Sequence, residues 1–258
     1  MINNNAIGLF DSGIGGTSIW REIRQLLPHE DTIYLADSKN APYGLRSKDE
    51  IIKLSIKNTE LLLSKNCKLI VVACNTATTN SIKELRQKYD IPFVGIEPAI
   101  KPAVHSSKTN YVGILATKGT LSSELFSKAV QSYSNTKFIE QIGHGLVELI
   151  EEGKLESPEM TVLLKQYLEP MVDADIDHLV LGCSHYPYLI PQLRKLLPSH
   201  IEIIDSGEAV ARQTQRLLQE NVGRKEEGVG ESKFYTNVTP DVLRSIVGQH
   251  YDVQQIDF

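Results

Sequence analysis

Residues 69–72 read Leu-Ile-Val-Val, four apolar side chains in a row, and no other feature constrains the fold as much. A strand with one wet face alternates apolar and polar residues, so an unbroken run asks for cover on both faces, as in a parallel sheet flanked by helices. Further apolar runs at 6–10, 32–36, 93–96, 111–115, 178–181 and 202–204 are separated by longer polar–apolar segments. That alternation predicts an α/β fold with mainly parallel sheets. Helix starts are legible between the runs. Ser47 and Glu50 have capping-box spacing, followed by Ile52, Ile56 and Leu63 on one face. Ser157-Pro158 and Thr239-Pro240 each pair an N-cap with a proline at the first helical position. At 258 residues and 41% hydrophobic, the chain is long enough for one large domain or two smaller ones.

The chain also repeats itself. IGLFDSG (7–13) resembles VGILATKG (112–119): each is a strand, then Asp11-Ser12 or Ala116-Thr117, then a glycine turn into a helix. LIVVACNTATTNSIKELRQKY (69–89) resembles HLVLGCSHYPYLIPQLRKLL (178–197), with a cysteine directly after the strand in both. Ser12 precedes Cys74 by 62 residues and Thr117 precedes Cys183 by 66, so the two halves place a cysteine at the same structural point. In parallel α/β sheets, ligands bind outside the carboxyl ends of the strands, where helix N-termini favour anions. Asp11-Ser12, Cys74-Asn75-Thr76, Thr117 and Cys183-Ser184-His185 all fall there, a set suited to a carboxylate ligand.

Several functions are disfavoured. A net charge of -5 without a basic stripe argues against nucleic acid. The polar start and the lack of any run of membrane-spanning length point to a cytosolic protein with no membrane partner. Cys67, Cys74 and Cys183 show neither C-x-x-C nor zinc spacing, against a disulfide framework or a structural metal. A phosphatase loop needs arginine six residues after its cysteine, where Asn80 and Leu189 stand. Gly13, Gly15 and Gly16 miss the dinucleotide fingerprint because Ser18 takes its last place; the glycines suit a backbone turning closely over a ligand. Either cysteine alone also fits a small buried hydrophobe, the reading that Cys67 keeps. Two cysteines from matching halves instead suit a reaction with two opposed, equivalent roles. Inverting a carbon stereocentre is one: a base removes the α-proton on one face while an acid delivers a proton on the other. A free thiol is mostly un-ionised at neutral pH, so neighbours must help, and Asp11 and His185 are the candidates.

On GLFDSGIGG (8–16), ADSKNAPYG (36–44), ACNTAT (73–78), LGCSHYP (181–187) and IDSG (204–207), in this order, the chain resembles the cofactor-independent aspartate/glutamate racemase superfamily. The resemblance covers essentially the whole chain. It implies interconversion of L- and D-glutamate for peptidoglycan precursors without pyridoxal phosphate or metal, in a cytoplasmic protein that tends to form homodimers. It implies two pseudo-symmetric three-layer domains, 1–97 plus 207–258 and 98–206, with the active site in the cleft between them. Cys74 and Cys183 become the acid/base pair, Asp11 supporting Cys74 and His185 supporting Cys183. Ser12, Pro42, Tyr43, Gly44, Asn75, Thr76 and Ser184 line the substrate, with Thr117 and Thr120 from the second half. Glu151, in LVELIEEG (146–153), matches a glutamate near the second cysteine, although it and Glu152 also read as a solvated helix end. Tyr43 equally reads as a packing aromatic. Ser184 stands where threonine is usual, and Gly143-His144-Gly145 replaces a common Ala-Cys-Pro, which puts transferred allosteric behaviour in doubt. His29, His105, His144, His178, His200 and His250 read as structural or surface residues. Aspartate racemases and related isomerases or decarboxylases share the fold and the cysteine placement. Asn75-Thr76 and the Pro42-Tyr43-Gly44 loop favour glutamate. A two-domain protein that merely closes on a dicarboxylate has no need of the paired cysteines.

Overall fold

The apolar runs become strands, most of them buried on both faces, with the run at 202–204 the exception. The computed structural model describes residues 3–258. Its strands are β1 (Ile7–Asp11), β2 (Thr32–Ala36), β3 (Leu69–Val72), β4 (Phe93–Gly95), β5 (Tyr111–Ala116), β6 (Lys137–Ile142), β7 (His178–Gly182), β8 (Glu202–Ile204), β9 (Ser232–Thr236) and β10 (Asp252–Gln255). They form two sheets, β10-β9-β2-β1-β3-β4 and β6-β5-β7-β8. Every pairing is parallel. The order β2-β1-β3-β4 recurs as β6-β5-β7-β8, so β1 corresponds to β5 and β3 to β7. The helices are α1 (Thr17–Leu26), α2 (Lys48–Ser64), α3 (Asn75–Lys88), α4 (Ile100–Ser106), α5 (Lys118–Leu121), α6 (Glu124–Gln131), α7 (Leu146–Glu151), α8 (Pro158–Asp173), α9 (Ile190–Leu196), α10 (Gly207–Leu217) and α11 (Asp241–Val247).

Alternate residues of each strand enter different cores. Leu69 and Val71 of β3 pack with Trp20 and Ile23 of α1 and Val210 of α10, whereas Ile70 and Val72 pack with Ile51 and Leu62 of α2 and Leu85 of α3. In the second sheet Leu179 and Leu181 meet Leu164 and Leu168 of α8, and Val180 meets Phe126 of α6. Full burial of each such side chain contributes about 1.5–3 kcal/mol. The C-terminal strands join the first sheet, and Trp20 holds them there. Its ring meets Phe234 and Tyr251 edge-on at 4.8 and 5.1 Å, and its Nε1 donates to Thr32 Oγ1 at 3.1 Å.

Some local expectations need correction. The Ser47–Glu50 capping box forms as expected, but α2 buries Ile51, Ser55, Asn58, Thr59 and Leu62 rather than the face of Ile52, Ile56 and Leu63. A partly polar inner face lets Asn58 reach buried polar groups described below. Ser157 caps α8 with Pro158 following, whereas Pro240 itself is the N-cap of α11 and no side chain caps that helix. Strands β6, β9 and β10 escape the pattern because none is a continuous apolar run; β10 buries only Val253.

The chain passes from the first sheet to the second after β4 and returns after β8, where Ser206 Oγ donates to the carbonyl of Glu97 at 2.5 Å. The carboxyl ends of β1 and β3 thereby meet those of β5 and β7, as shown by side-chain bonds from Asp11 to Ser184 and from Thr76 to Thr117. Among the described residues, no helix is long and apolar enough to cross a membrane.

Candidate active site

Cys74 ends β3 as the N-cap of α3. Its Sγ accepts the Ala77 N–H at 3.4 Å, and its thiol faces Ser12 Oγ at 3.7 Å. Cys183 ends β7, and its Sγ lies 3.8 Å from His185 Nδ1. Both sulfurs are enclosed, with the residues 4% and 6% exposed.

His185 is gripped from its far side. Its Nε2 lies 2.6 Å from Glu151 Oε1, a distance that assigns the Nε2 proton to that bond. The Gly15 N–H also faces Nε2, at 3.3 Å, but a protonated nitrogen has no lone pair to offer it. Glu151 is drawn inward rather than solvated: Oε1 accepts the Ile14 N–H at 2.7 Å and Oε2 accepts the Ser38 hydroxyl at 2.8 Å. Glycines make this approach feasible. A Cβ on Gly13 would sit 1.9 Å from Glu151 Oε1, and one on Gly15 would sit 2.2 Å from His185 Nδ1. Tyr188 adds a further bond across the same seam, 2.5 Å from Thr17 Oγ1, which itself donates to the Ile14 carbonyl.

Asp11 reaches across the seam rather than to Cys74. Oδ2 accepts the N–H groups of Gly13 and Gly16, both at 3.1 Å, and Oδ1 accepts the Ser184 hydroxyl at 3.0 Å. Burial lifts the Asp11 carboxyl above its ordinary value, against the opposing pull of the His185 charge and the Gly16 N–H. Burial also lifts the Cys74 thiol well above its usual range, and the negative charge of Asp11 adds to this. For His185 burial alone would lower the pKa, but bonds to Cys183 and Glu151 and the charge of Asp11 outweigh it, leaving the imidazole well above its ordinary value. These surroundings favour the charged imidazolium.

A second group of polar side chains lies beside Cys74. Thr76 Oγ1 is 2.8 Å from Thr117 Oγ1 and 3.3 Å from Thr120 Oγ1, and Thr117 donates to Thr120 at 3.0 Å. Gly44 runs against this cluster, where a Cβ would come within 2.8 Å of Thr117 Cβ. Next to Thr76, the Asn75 amide is buried with neither its oxygen nor its nitrogen paired, the state expected of a group kept for a ligand. Tyr43 packs in the same apolar cluster as Cys74, while its hydroxyl donates to Asp37 Oδ2 at 2.6 Å. Asn58 Nδ2 donates to that hydroxyl at 3.1 Å, and Asn40 donates to Asp37 Oδ1 at 2.8 Å. Pro42 lines a recess of about 280 Å³ together with Ser38, Glu148 and Glu151, the last of which bonds to His185. A roomier cleft of about 440 Å³ runs along α2, α3, α5 and α6 and touches neither cysteine. Among the described residues, no group of three or more His, Cys, Asp or Glu side chains is placed to hold a metal ion.

Two thiols at matching strand ends, each in reach of a proton partner, call for comparison with known proteins. The profile of Asp/Glu/Hydantoin racemases matches residues 8–214. The chain belongs to this family. A glutamate racemase of Herpetosiphon aurantiacus is 47% identical over 84% of this chain and 86% of its own length. The crystal structure of Escherichia coli glutamate racemase in complex with L-glutamate and the activator UDP-MurNAc-ala superposes with a TM-score of 0.87 at 32% identity, covering 98% of both chains. An aspartate racemase of Picrophilus torridus, 18% identical with a TM-score of 0.58 over 84% of this chain and 96% of its own, shares the fold alone.

The family's fold thus brings Asp11, Ser12, Cys74, Asn75, Thr76, Thr117, Thr120, Cys183, Ser184, His185 and Glu151 to one seam, with Tyr43 and Gly44 at its edge. Sequence reasoning passed over Asp37, Ser38, Thr17 and Tyr188. Asp37 follows β2 directly, one position beyond the register of Asp11 at the end of β1, and that place at a strand's carboxyl end was the available signal. His178, set aside as structural, is buried with its Nδ1 2.8 Å from Asp177 Oδ1.

Proposed function

We propose that the protein interconverts L- and D-glutamate, with Cys74 and Cys183 as the two acid/base residues. The observation that carries this is the placement of two buried thiols at equivalent strand ends of two matching sheets. The relatives that share the whole architecture are named glutamate racemases, which favours that substrate. From L-glutamate, Cys183 acts as the thiolate, its own proton already resting on His185, and takes the α-proton, breaking C–H and forming S–H. Cys74, held as a thiol by burial and by Asp11, gives its proton to the opposite face of the carbanion. The reverse reaction exchanges the roles; the assignment of sulfur to enantiomer rests on the resemblance. Asn75 and the hydroxyls of Ser12, Thr76, Thr117 and Thr120 supply donors for the substrate carboxylates.

The proposal extends to a cofactor-free reaction that feeds peptidoglycan synthesis, in a cytoplasmic homodimer of two-domain subunits divided as 1–97 plus 207–258 and 98–206. The return of β9 and β10 to the first sheet supports that division. Family resemblance supports the rest.

Racemisation in heavy water tests the two-base chemistry. A thiol carries a single proton and exchanges it with solvent between turnovers. Early product should therefore carry deuterium at Cα while unreacted substrate carries almost none, from either enantiomer, and L-aspartate should turn over poorly. The rate should survive dialysis against chelator and treatment with hydroxylamine. Original hydrogen in the product, or activity restored by pyridoxal phosphate, would overturn the mechanism.

A further inference from the structure

Ser184 sits between the two groups assigned to opposite cysteines. Its hydroxyl donates to Asp11 Oδ1 at 3.0 Å, and its Oγ lies 3.5 Å from His185 Nδ1. Asp11 comes from the end of β1 and His185 from the end of β7, so this one hydroxyl spans the seam. Ser184 is 1% exposed, which keeps solvent from replacing either contact.

The geometry fixes the direction of these bonds. A serine hydroxyl has one hydrogen, and here Asp11 receives it. Toward Nδ1 the oxygen is left only as an acceptor, so this bond forms with the imidazolium, which carries a proton on Nδ1. Nε2 carries another, donated to Glu151. The chain therefore runs from Nδ1–H through Oγ–H to the Asp11 carboxylate. A concerted shift along it breaks Nδ1–H as Oγ–H forms, and breaks the old Oγ–H as Oδ1–H forms. Imidazolium and carboxylate become imidazole and carboxylic acid, with the serine unchanged. Burial favours the neutral pair and mutual attraction favours the charged one, so the two effects oppose each other.

We propose that the Ser184 hydroxyl joins Asp11 and His185 into one proton-sharing unit, so that the two helpers titrate together rather than serving their own cysteines independently. This rests on the racemase function proposed above and adds a positioning residue to it. The other ionisable groups facing the unit are Glu151, Cys74, Cys183, Tyr34 and Tyr188. Of these Glu151 bonds to it through Nε2 and Cys183 through Nδ1, the nitrogen that also faces Ser184.

The test compares wild type, Ser184→Ala and Ser184→Thr by the pH dependence of kcat with both enantiomers, by KM, and by ¹⁵N titration of His185 in the free protein. Removing the hydroxyl takes a donor from the Asp11 carboxylate and an acceptor from Nδ1–H. In Ser184→Ala the acidic limb of kcat should rise by about one pH unit, kcat should fall about tenfold in both directions, and KM should move less than about threefold. The His185 titration midpoint should fall, and Ser184→Thr, which keeps the hydroxyl, should restore all of these. An unmoved acidic limb and an unmoved His185 midpoint would overturn the proposal, whether kcat falls through lost stability or KM alone rises through a lost substrate contact. The His185 titration needs no turnover. A wild-type protein inactive on glutamate would count against the proposed function, while the midpoint shift would still decide the role of Ser184.

Discussion

At the end of β3, Cys74 caps a 14-residue helix and receives the Ala77 N–H; at the end of β7, Cys183 is followed by a short 3₁₀ turn (Tyr186–Leu189) and faces an imidazole. The sheets repeat, but the proton chemistry around their cysteines does not. On the Cys74 side burial and the Asp11 charge hold the proton on sulfur. On the Cys183 side His185, braced by Glu151 and favoured as imidazolium by Cys183, Glu151 and Asp11, lies within reach of the sulfur. Under the proposed mechanism, this difference leaves a near-symmetric scaffold in one of its two working forms, with the acid loaded on one face. Symmetry of the backbone sets where the reacting atoms sit, and the unlike neighbours set which of them starts with the proton.

The sharpest way to break this comparison is to remove each sulfur. Cys183→Ser should lower loss of the α-proton from L-glutamate by about 10³-fold, and Cys74→Ser should do the same for D-glutamate, because a serine hydroxyl is a far weaker acid than a thiol. Single-turnover tritium release from each enantiomer measures it, and a variant racemising at the wild-type rate would remove that cysteine from the mechanism. A smaller effect is expected from the helpers. Asp11→Asn and His185→Asn should each lower kcat by about 10²-fold, unequally in the two directions. The equilibrium between enantiomers keeps the two kcat/KM values tied, so the inequality must be sought in kcat and in the α-deuterium isotope effects. Identical isotope effects for both variants in both directions would show that the surroundings are equivalent after all.

The smallest effect sharpens the electrostatic half of the comparison. In a Cys183→Ser background, iodoacetamide should label Cys74 only as the pH climbs above the ordinary thiol range. Adding Asp11→Asn should bring that rise to lower pH, since the carboxylate that penalises the thiolate is gone. A labelling profile unmoved by Asp11→Asn would mean that burial alone sets the Cys74 proton.

How far the sequence led can be judged at particular residues. Strands β1, β3 and β7 were legible because sheets covered on both faces demand unbroken apolar runs, and the repeat pointed to the residues at their ends. Strand β6 was not, since its Lys-Phe-Ile-Glu-Gln-Ile run lies at a sheet edge and carries exposed positions. Within the site, the pairing of Cys74 with α3 follows from local chain order. The Asp11–Ser184 bond joins residues 173 positions apart and depends on how the two sheets face each other, which no local pattern encodes. Asp37 escaped for another reason. The strand corresponding to β2 is β6, and Gly143 follows it where Asp37 follows β2, so a search for repeats had nothing to match.

The contact of Glu151 and His185 with Gly13 and Gly15 makes one wall of the seam out of bare main chain. Main chain has the same chemistry whatever the codon, so mutation can spoil this wall but has little means of refining it. Variation that tunes how tightly the halves join must therefore accumulate on the opposite wall, at Glu151, Ser184, His185 and Tyr188. Among natural variants and in directed evolution, changes in opening rate should map to that side of the joint, with the glycine side behaving as a fixed bearing.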